Sequence, residues 1–230
     1  MDVMKAGVVS ISLGVIAKIA SSMIDYDDGS MKSITFKDFK KSVKTGDLII
    51  TSSSNIITRT ITSSQWTHCG IAYVASNGII YEWSSHDGKE SLYNSRGIQC
   101  NGSQLIPLDV LYATYGCIMW RSVNITGLES KLLCNFVRNA AYKFKFSDMT
   151  ELTAYCGLPT NGYGGGYACS HLVAATYATA GVIKLDRNIS SYSPATFSDT
   201  GDCCWIRPES VAPTRLIVGF DCSRMVTFKK

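Results

Sequence analysis

Apolar and polar positions fall in short blocks along this chain, and the blocks predict elements of both kinds. Phe36, Phe39 and Val43 recur at helical spacing, which predicts a helix over Thr35 to Val43. Thr45-Gly46-Asp47 then turns the chain into Leu48-Ile49-Ile50, a buried strand. Ile56, Ile57, Thr60 and Ile61 suggest a short helix within the Ser/Thr-rich stretch Ser52 to Gln65. Two strand-like runs, Cys69 to Val74 and Ile79 to Trp83, flank Ala75-Ser76-Asn77-Gly78, a hairpin signal. Further strands are expected at Gln104 to Leu108 and Cys117 to Val123.

The second half reads more helically. Glu129 to Phe144 is expected to be a helix with Leu132, Leu133, Phe136, Val137 and Ala140 on its buried side. A polar, Gly-rich loop from Pro159 to Gly166 leads into a small-residue helix, Cys169 to Ala180, which Gly181 ends. Beyond Leu185 the chain reads as loop, closing with a strand at Leu216 to Phe220. This order of hairpins and separate helices, without a βαβ repeat, is α+β.

The opening segment, Ala6 to Met23, is apolar but interrupted by Lys18 and diluted by four serines. It falls short of the ~20 residues that a spanning helix requires. A packed or membrane-surface helix is expected, with an anchor or a cleaved signal as alternatives. Asp25 to Ser30 is a polar break, dividing a hydrophobic segment and linker at 1–28 from one domain at 29–230. The net charge of +4 is mild, and Lys37, Lys40, Lys41 and Lys44 read as a solvated helix face. No zinc-finger or recognition-helix pattern supports nucleic-acid binding.

Nine cysteines, an odd number without a repeating spacing, favour an intracellular reducing compartment. The sequons at Asn101, Asn124 and Asn188 point the other way but arise readily in Ser/Thr-rich chains. No CxxC is present, so a metal site is not expected, nor is a cofactor.

Candidate chemistry centres on Cys169. A cysteine in the first turn of a helix meets unpaired N–H groups and the positive dipole end, which favour the nucleophilic thiolate. Leu172, Val173, Thr176 and Tyr177 follow it at i+3, i+4, i+7 and i+8, so it lies on the inward face. Taken alone, Cys169 reads first as a buried structural cysteine. A thiol nucleophile needs a base, and three histidines are present. His68 opens an apolar strand. His86 reads as a turn residue. His171 points about 200° around the helix from Cys169, a poor position for its base.

Taken together, Gly46-Asp47-Leu48-Ile49-Ile50, Thr67-His68-Cys69-Gly70-Ile71, Ile80-Tyr81-Glu82 and Tyr167-Ala168-Cys169-Ser170-His171-Leu172-Val173 resemble the NlpC-like superfamily of papain-like cysteine hydrolases. The similarity runs from about Gly46 to Gly181, with Ser193-Pro194-Ala195 beyond it. It is to the circularly permuted branch that includes YiiX-like proteins and a poxvirus family, with acyltransferases related to lecithin-retinol acyltransferase as relatives. The resemblance implies a permuted papain-like fold, an antiparallel sheet packed against the nucleophile-bearing helix. It implies Cys169 as nucleophile, His68 as base, and Glu82 as the polar residue that orients the histidine.

Hairpin geometry leaves the third residue open. With a two-residue turn at Asn77-Gly78, Glu82 would pair with Tyr73 and Asp87 would fall opposite His68. For Glu82 to face His68, the turn must centre near Ala75. Asp87 is therefore the alternative, and Glu82 also reads as an exposed strand-edge residue. Many relatives carry an acidic or amide residue where His171 stands, which leaves substrate preference open.

The expected activity is hydrolysis or acyl transfer on a peptide, amide or lipid acyl substrate through a Cys169 thioester. The alternative is a catalytically idle scaffold, a structural or membrane-associated protein such as a virion component. A thiol redox role finds little support, because no second cysteine stands close to Cys169 in sequence.

Overall fold

The computed structural model describes residues 31–52, 66–88, 92–114, 117–144, 146 and 169–219. The expected N-terminal segment, the helix within Ser52 to Gln65 and the Gly-rich loop before Cys169 lie outside these residues.

Among the described residues, seven strands form one sheet: β1 (Ser33–Thr35), β2 (Leu48–Ser52), β3 (His68–Val74), β4 (Ile80–His86), β5 (Gly102–Pro107), β6 (Cys117–Arg121) and β7 (Arg215–Val218). Their spatial order is β1-β7-β6-β2-β3-β4-β5. Neighbours are antiparallel except β1 and β7, which run parallel. Among the described residues there are four α-helices: α1 (Phe36–Ser42), α2 (Leu108–Thr114), α3 (Gly127–Ala140) and α4 (Cys169–Ala180). None of these helices is long and apolar enough to cross a membrane. The α+β class therefore holds.

Strand alternation splits the apolar residues into two cores on opposite sheet faces. Leu48, Ile50, Cys69, Ile71, Trp83 and Met119 pack with α3 and α4. Ile49, Ala72, Ile106, Ile118 and Trp120 pack with α1 and α2. Helix α4 is buried on nearly every side, its small residues letting it sit close against β3 and β4. It stops at Gly181, whose φ of +76° is the left-handed conformation that glycine adopts without strain.

The observed bounds refine the expected ones. Thr35 caps α1 by accepting from the Asp38 N–H. Helix α3 starts two residues earlier than expected, at a capping box between Thr126 and Glu129, and ends at Ala140. Leu133, Val137 and Ala140 face inward as predicted, but Leu132 is exposed. Strand β1 and helix α2 had no strong periodic signal, and Leu108 begins α2 rather than ending a strand.

Asp47 ties the sheet together at the start of β2. Fully buried, it accepts hydrogen bonds from the backbone N–H groups of Lys44 (2.9 Å) and Val123 (3.0 Å) and from Trp120 Nε1 (2.9 Å). Burial pushes its carboxyl above the usual range, and these donors offset only part of that.

Candidate active site

Cys169 is the first residue of α4, and His68 is the first residue of β3. The helix begins where the strand begins, so Cys169 meets both Cys69, which faces the helix, and His68, one residue earlier. His68, Glu82 and Cys169 are 7%, 0% and 8% exposed. The three residues singled out from sequence thus converge at one buried place.

Glu82 holds His68 directly, with Oε1 3.1 Å from Nε2. That engagement leaves Nδ1 as the ring nitrogen facing the sulfur. The strand register explains how Glu82 gets there. Glu82 pairs with Ala72, not with the residue opposite His68, and residues 75–79 form the hairpin connection. The expected turn centre near Ala75 is not what the hairpin adopts: a three-residue connection with Gly78 at φ +80° shifts the pairing by one residue from that of a two-residue turn. Instead the side chain runs diagonally along the sheet face across Gly70. A Cβ at position 70 would stand 2.5 Å from Glu82 Cγ and 2.6 Å from its Oε1. Asp87 lies beyond the end of β4, so Glu82 is the carboxylate on His68.

His86 corrects its reading as a turn residue. It is the last residue of β4 and 3% exposed. Continuing the register of Ile71 with Trp83 brings it opposite His68, and the two ring centroids are 4.4 Å apart. Between them, Ser84 Oγ donates to Glu82 Oε2 at 2.7 Å. A hydroxyl has one proton, so the 2.8 Å contact between Ser84 Oγ and His86 Nε2 is donated by the ring N–H. His86 Nε2 also lies 3.5 Å from Glu82 Oε2. The result is a chain of polar groups: His86, Ser84, Glu82, His68, Cys169. Residues 82, 84 and 86 form one face by strand alternation, a signal the sequence carried but that reading His86 as a turn concealed.

The electrostatics follow from this burial and proximity. A hydrogen bond from the Cys69 thiol, then the charge and hydrogen bond of His68, hold the Cys169 thiol well below its ordinary value against the opposing push of burial. Burial works against charge on His68, but Glu82 and the Cys169 sulfur outweigh it and hold the imidazole well above its ordinary value. Burial pushes the Glu82 carboxyl up as well. His68 and then His86 reverse this and hold it well below the usual carboxylate range. Each ionised group is held by its neighbour, so the arrangement favours a thiolate beside an imidazolium.

Cys69 was no part of the expected site. It is fully buried on the α4 face of β3, and its thiol and backbone N–H both reach the Cys169 sulfur. Burial and then that contact push its own thiol well above the ordinary value, so it stays a neutral donor. His171 is buried two residues along α4, where burial pushes its imidazole down.

His68, Glu82 and His86 each offer one ligand atom within 4.8 Å of the others, a set suited to a transition ion. Judging metals by cysteine spacing alone passes over this trio. Hydrogen bonds through Ser84 and Glu82 account for the same closeness. The hollow lined by Lys44, Ile125, Thr126 and Ser130 lies at the start of α3 and contains none of these residues. The described cysteines, Cys69 and Cys169 included, are free thiols.

Neither a scan against models of known protein families nor a search of curated proteins finds a match to this chain.

Proposed function

We propose that this chain is a permuted papain-like cysteine hydrolase or acyltransferase that works through an acyl-thioester on Cys169. The observation that carries the reading is the position of His68, between the Cys169 sulfur and the buried Glu82 carboxylate. In this mechanism the Cys169 thiolate attacks an amide or ester carbonyl. The Cys169 backbone N–H, at the open end of α4, stabilises the developing oxyanion. His68 Nδ1–H then protonates the leaving amine or alcohol. In the second half-reaction His68 takes a proton from water or an acceptor, which attacks the thioester and releases Cys169. Glu82 keeps the proton of Nε2 in place and stabilises the imidazolium.

An idle scaffold accounts for this arrangement less well. Burying a carboxylate and two histidines costs stability that apolar side chains of similar volume would not. A chain that needs only the fold has no reason to bear that cost.

The test is alkylation of each cysteine, followed by mass spectrometry from pH 4 to 9, in wild type and in His68→Gln. Glutamine can still donate to Glu82 but cannot act as a base, so folding is better preserved than with alanine. Selective labelling of Cys169 well below pH 8.5, lost in His68→Gln, is the expected result. Labelling of Cys169 no faster than Cys134 or Cys204 overturns the reading.

A further inference from the structure

Cys69 forms no bond to substrate and moves no proton in the proposed acyl transfer; its part there is to hold the Cys169 sulfur as a thiolate. Yet it stands next to His68 on β3, buried on the face that packs against α4, the helix that Cys169 opens, and near enough to the Cys169 sulfur for each to shift the other's charge. The two are 100 positions apart in sequence, and it is the packing of α4 on β3 that joins them. Both are free thiols. A thiolate with a neutral thiol in contact is the pair that peroxide chemistry uses, one sulfur to be oxidised and a second to resolve it.

We propose that Cys69 and Cys169 form a reversible oxidation site, in which Cys69 resolves the sulfenic acid of Cys169 as an intramolecular disulfide. The inference rests on the reading of Cys169 as a thiolate nucleophile and adds its regulation. The oxidant is a hydroperoxide. The Cys169 thiolate attacks one peroxide oxygen, the O–O bond breaks, and a proton from the His68 imidazolium completes the departing water (for hydrogen peroxide). Cys169 is left as a sulfenic acid. The Cys69 sulfur then attacks the Cys169 sulfur and forms the S–S bond. The hydroxide that leaves combines with the Cys69 proton to give a second water. Two thiols have lost two electrons, and one peroxide has been reduced to two waters.

Forming an S–S bond of ~2.05 Å requires the two sulfurs to move together. The first turn of α4 is where that movement is least opposed, since its N–H groups have no intrahelical partners. The disulfide removes the nucleophile while it lasts and spares it from irreversible oxidation to the sulfinic acid. A dithiol reductant restores it by exchange. Along the chain no second cysteine lies close to Cys169, which left a redox role without support there. The tertiary structure supplies one.

The experiment treats the full-length reduced chain with a several-fold excess of hydrogen peroxide, blocks remaining thiols, and maps cross-linked peptides by mass spectrometry. Cys169 alkylation is measured before oxidation, after it, and after dithiothreitol. The expected result is a Cys69–Cys169 linked peptide, loss of most Cys169 labelling, and its recovery with dithiothreitol. A Cys69→Ser variant is expected to lose Cys169 labelling without recovery, with sulfinic acid at Cys169. Rapid labelling of reduced Cys169 in wild type, with peroxide giving sulfinic acid or a link to another cysteine such as Cys156, overturns this inference and leaves the nucleophile reading standing. Slow labelling together with no reaction at Cys169 overturns both.

Discussion

The Glu82 side chain lies across the bare backbone of Gly70 to reach His68. No other residue type leaves that path open, since a single methyl at position 70 would stand 2.5 Å from Glu82 Cγ. Glu82 is anchored by buried hydrogen bonds on both oxygens, so it cannot yield as a flexible surface side chain would.

Gly70→Ala is therefore expected to push Glu82 off His68. Overpacking of this kind costs about 1–3 kcal/mol of stability. The more telling readout is Cys169 alkylation at neutral pH, expected to fall toward that of His68→Gln in molecules that remain folded. Retention of the wild-type rate in folded Gly70→Ala would show that Glu82 does not act through His68.

The pH dependence of Cys169 labelling follows from the directions of the shifts. The Cys169 value is lowered, so thiolate persists below the ordinary ~8.5, while the His68 value is raised, so imidazolium persists above the ordinary ~6.5. The ion pair thus spans neutral pH, and labelling should rise on an acid limb and stay level through pH 7. Glu82→Gln removes the main group holding His68 up. Its acid limb should move upward toward the ordinary thiol value, a shift that a merely structural role for Glu82 does not predict.

The same shifts bear on stability. The Glu82 contribution is present above its ordinary ~4.3 and is lost as pH falls through its lowered value. The His68 contribution is full below ~6.5 and is lost as pH rises through its raised value. Both are full between about pH 4.3 and 6.5. The Cys169 contribution is full above ~8.5 and is lost as pH falls through its lowered value. The difference between wild type and His68→Gln in chemical denaturation should therefore be largest and level from about pH 6.5 to 8.5, and smaller below it. A difference that grows steadily above pH 7 would contradict the assigned pairing.

Ser84 acts on His68 only through Glu82. Ser84→Ala removes one hydrogen bond to a charged group, a loss of about 1.5–3 kcal/mol. Cys169 labelling at pH 6 to 7 should slow by roughly 3- to 10-fold, less than in Glu82→Gln, because Oε1 keeps its bond to His68. An effect as large as that of Glu82→Gln would mean that Ser84, not Glu82, fixes the imidazole.

Asp47 separates fold from chemistry. It stands before Leu48, at the end of β2 remote from Thr51, which pairs with His68. Asp47→Ala strands the Lys44 and Val123 N–H groups and Trp120 Nε1 without their acceptor. The expected cost is about 3 kcal/mol, which lowers the thermal midpoint by about 6–12 °C. Below that midpoint, Cys169 labelling should match wild type. A large loss of labelling in the folded variant would overturn the division.

How much was readable in advance differs by residue. Helical spacing placed Cys169 at the start of its helix and Leu172, Val173 and Tyr177 on the inward face, because i+3 and i+4 neighbours share a side whatever the rest of the chain does. The apolar run that follows it made His68 the start of a strand. Gly181 marked the helix end through its backbone freedom. These are local properties, written within a few residues of where they act.

The rest depended on which segments meet. Glu82 reaches His68 because of the β3–β4 register and the absence of a side chain at Gly70, and a one-residue difference in pairing would have sent it elsewhere. His86 became a buried member of the site only because β4 extends to it and its face alternates with Glu82 and Ser84. Cys69 meets Cys169 because α4 packs on β3 across a hundred residues of chain. Propensity and spacing act over one or two turns. Register and packing are set by burial of the whole sheet, and that alone decided which polar groups share the site.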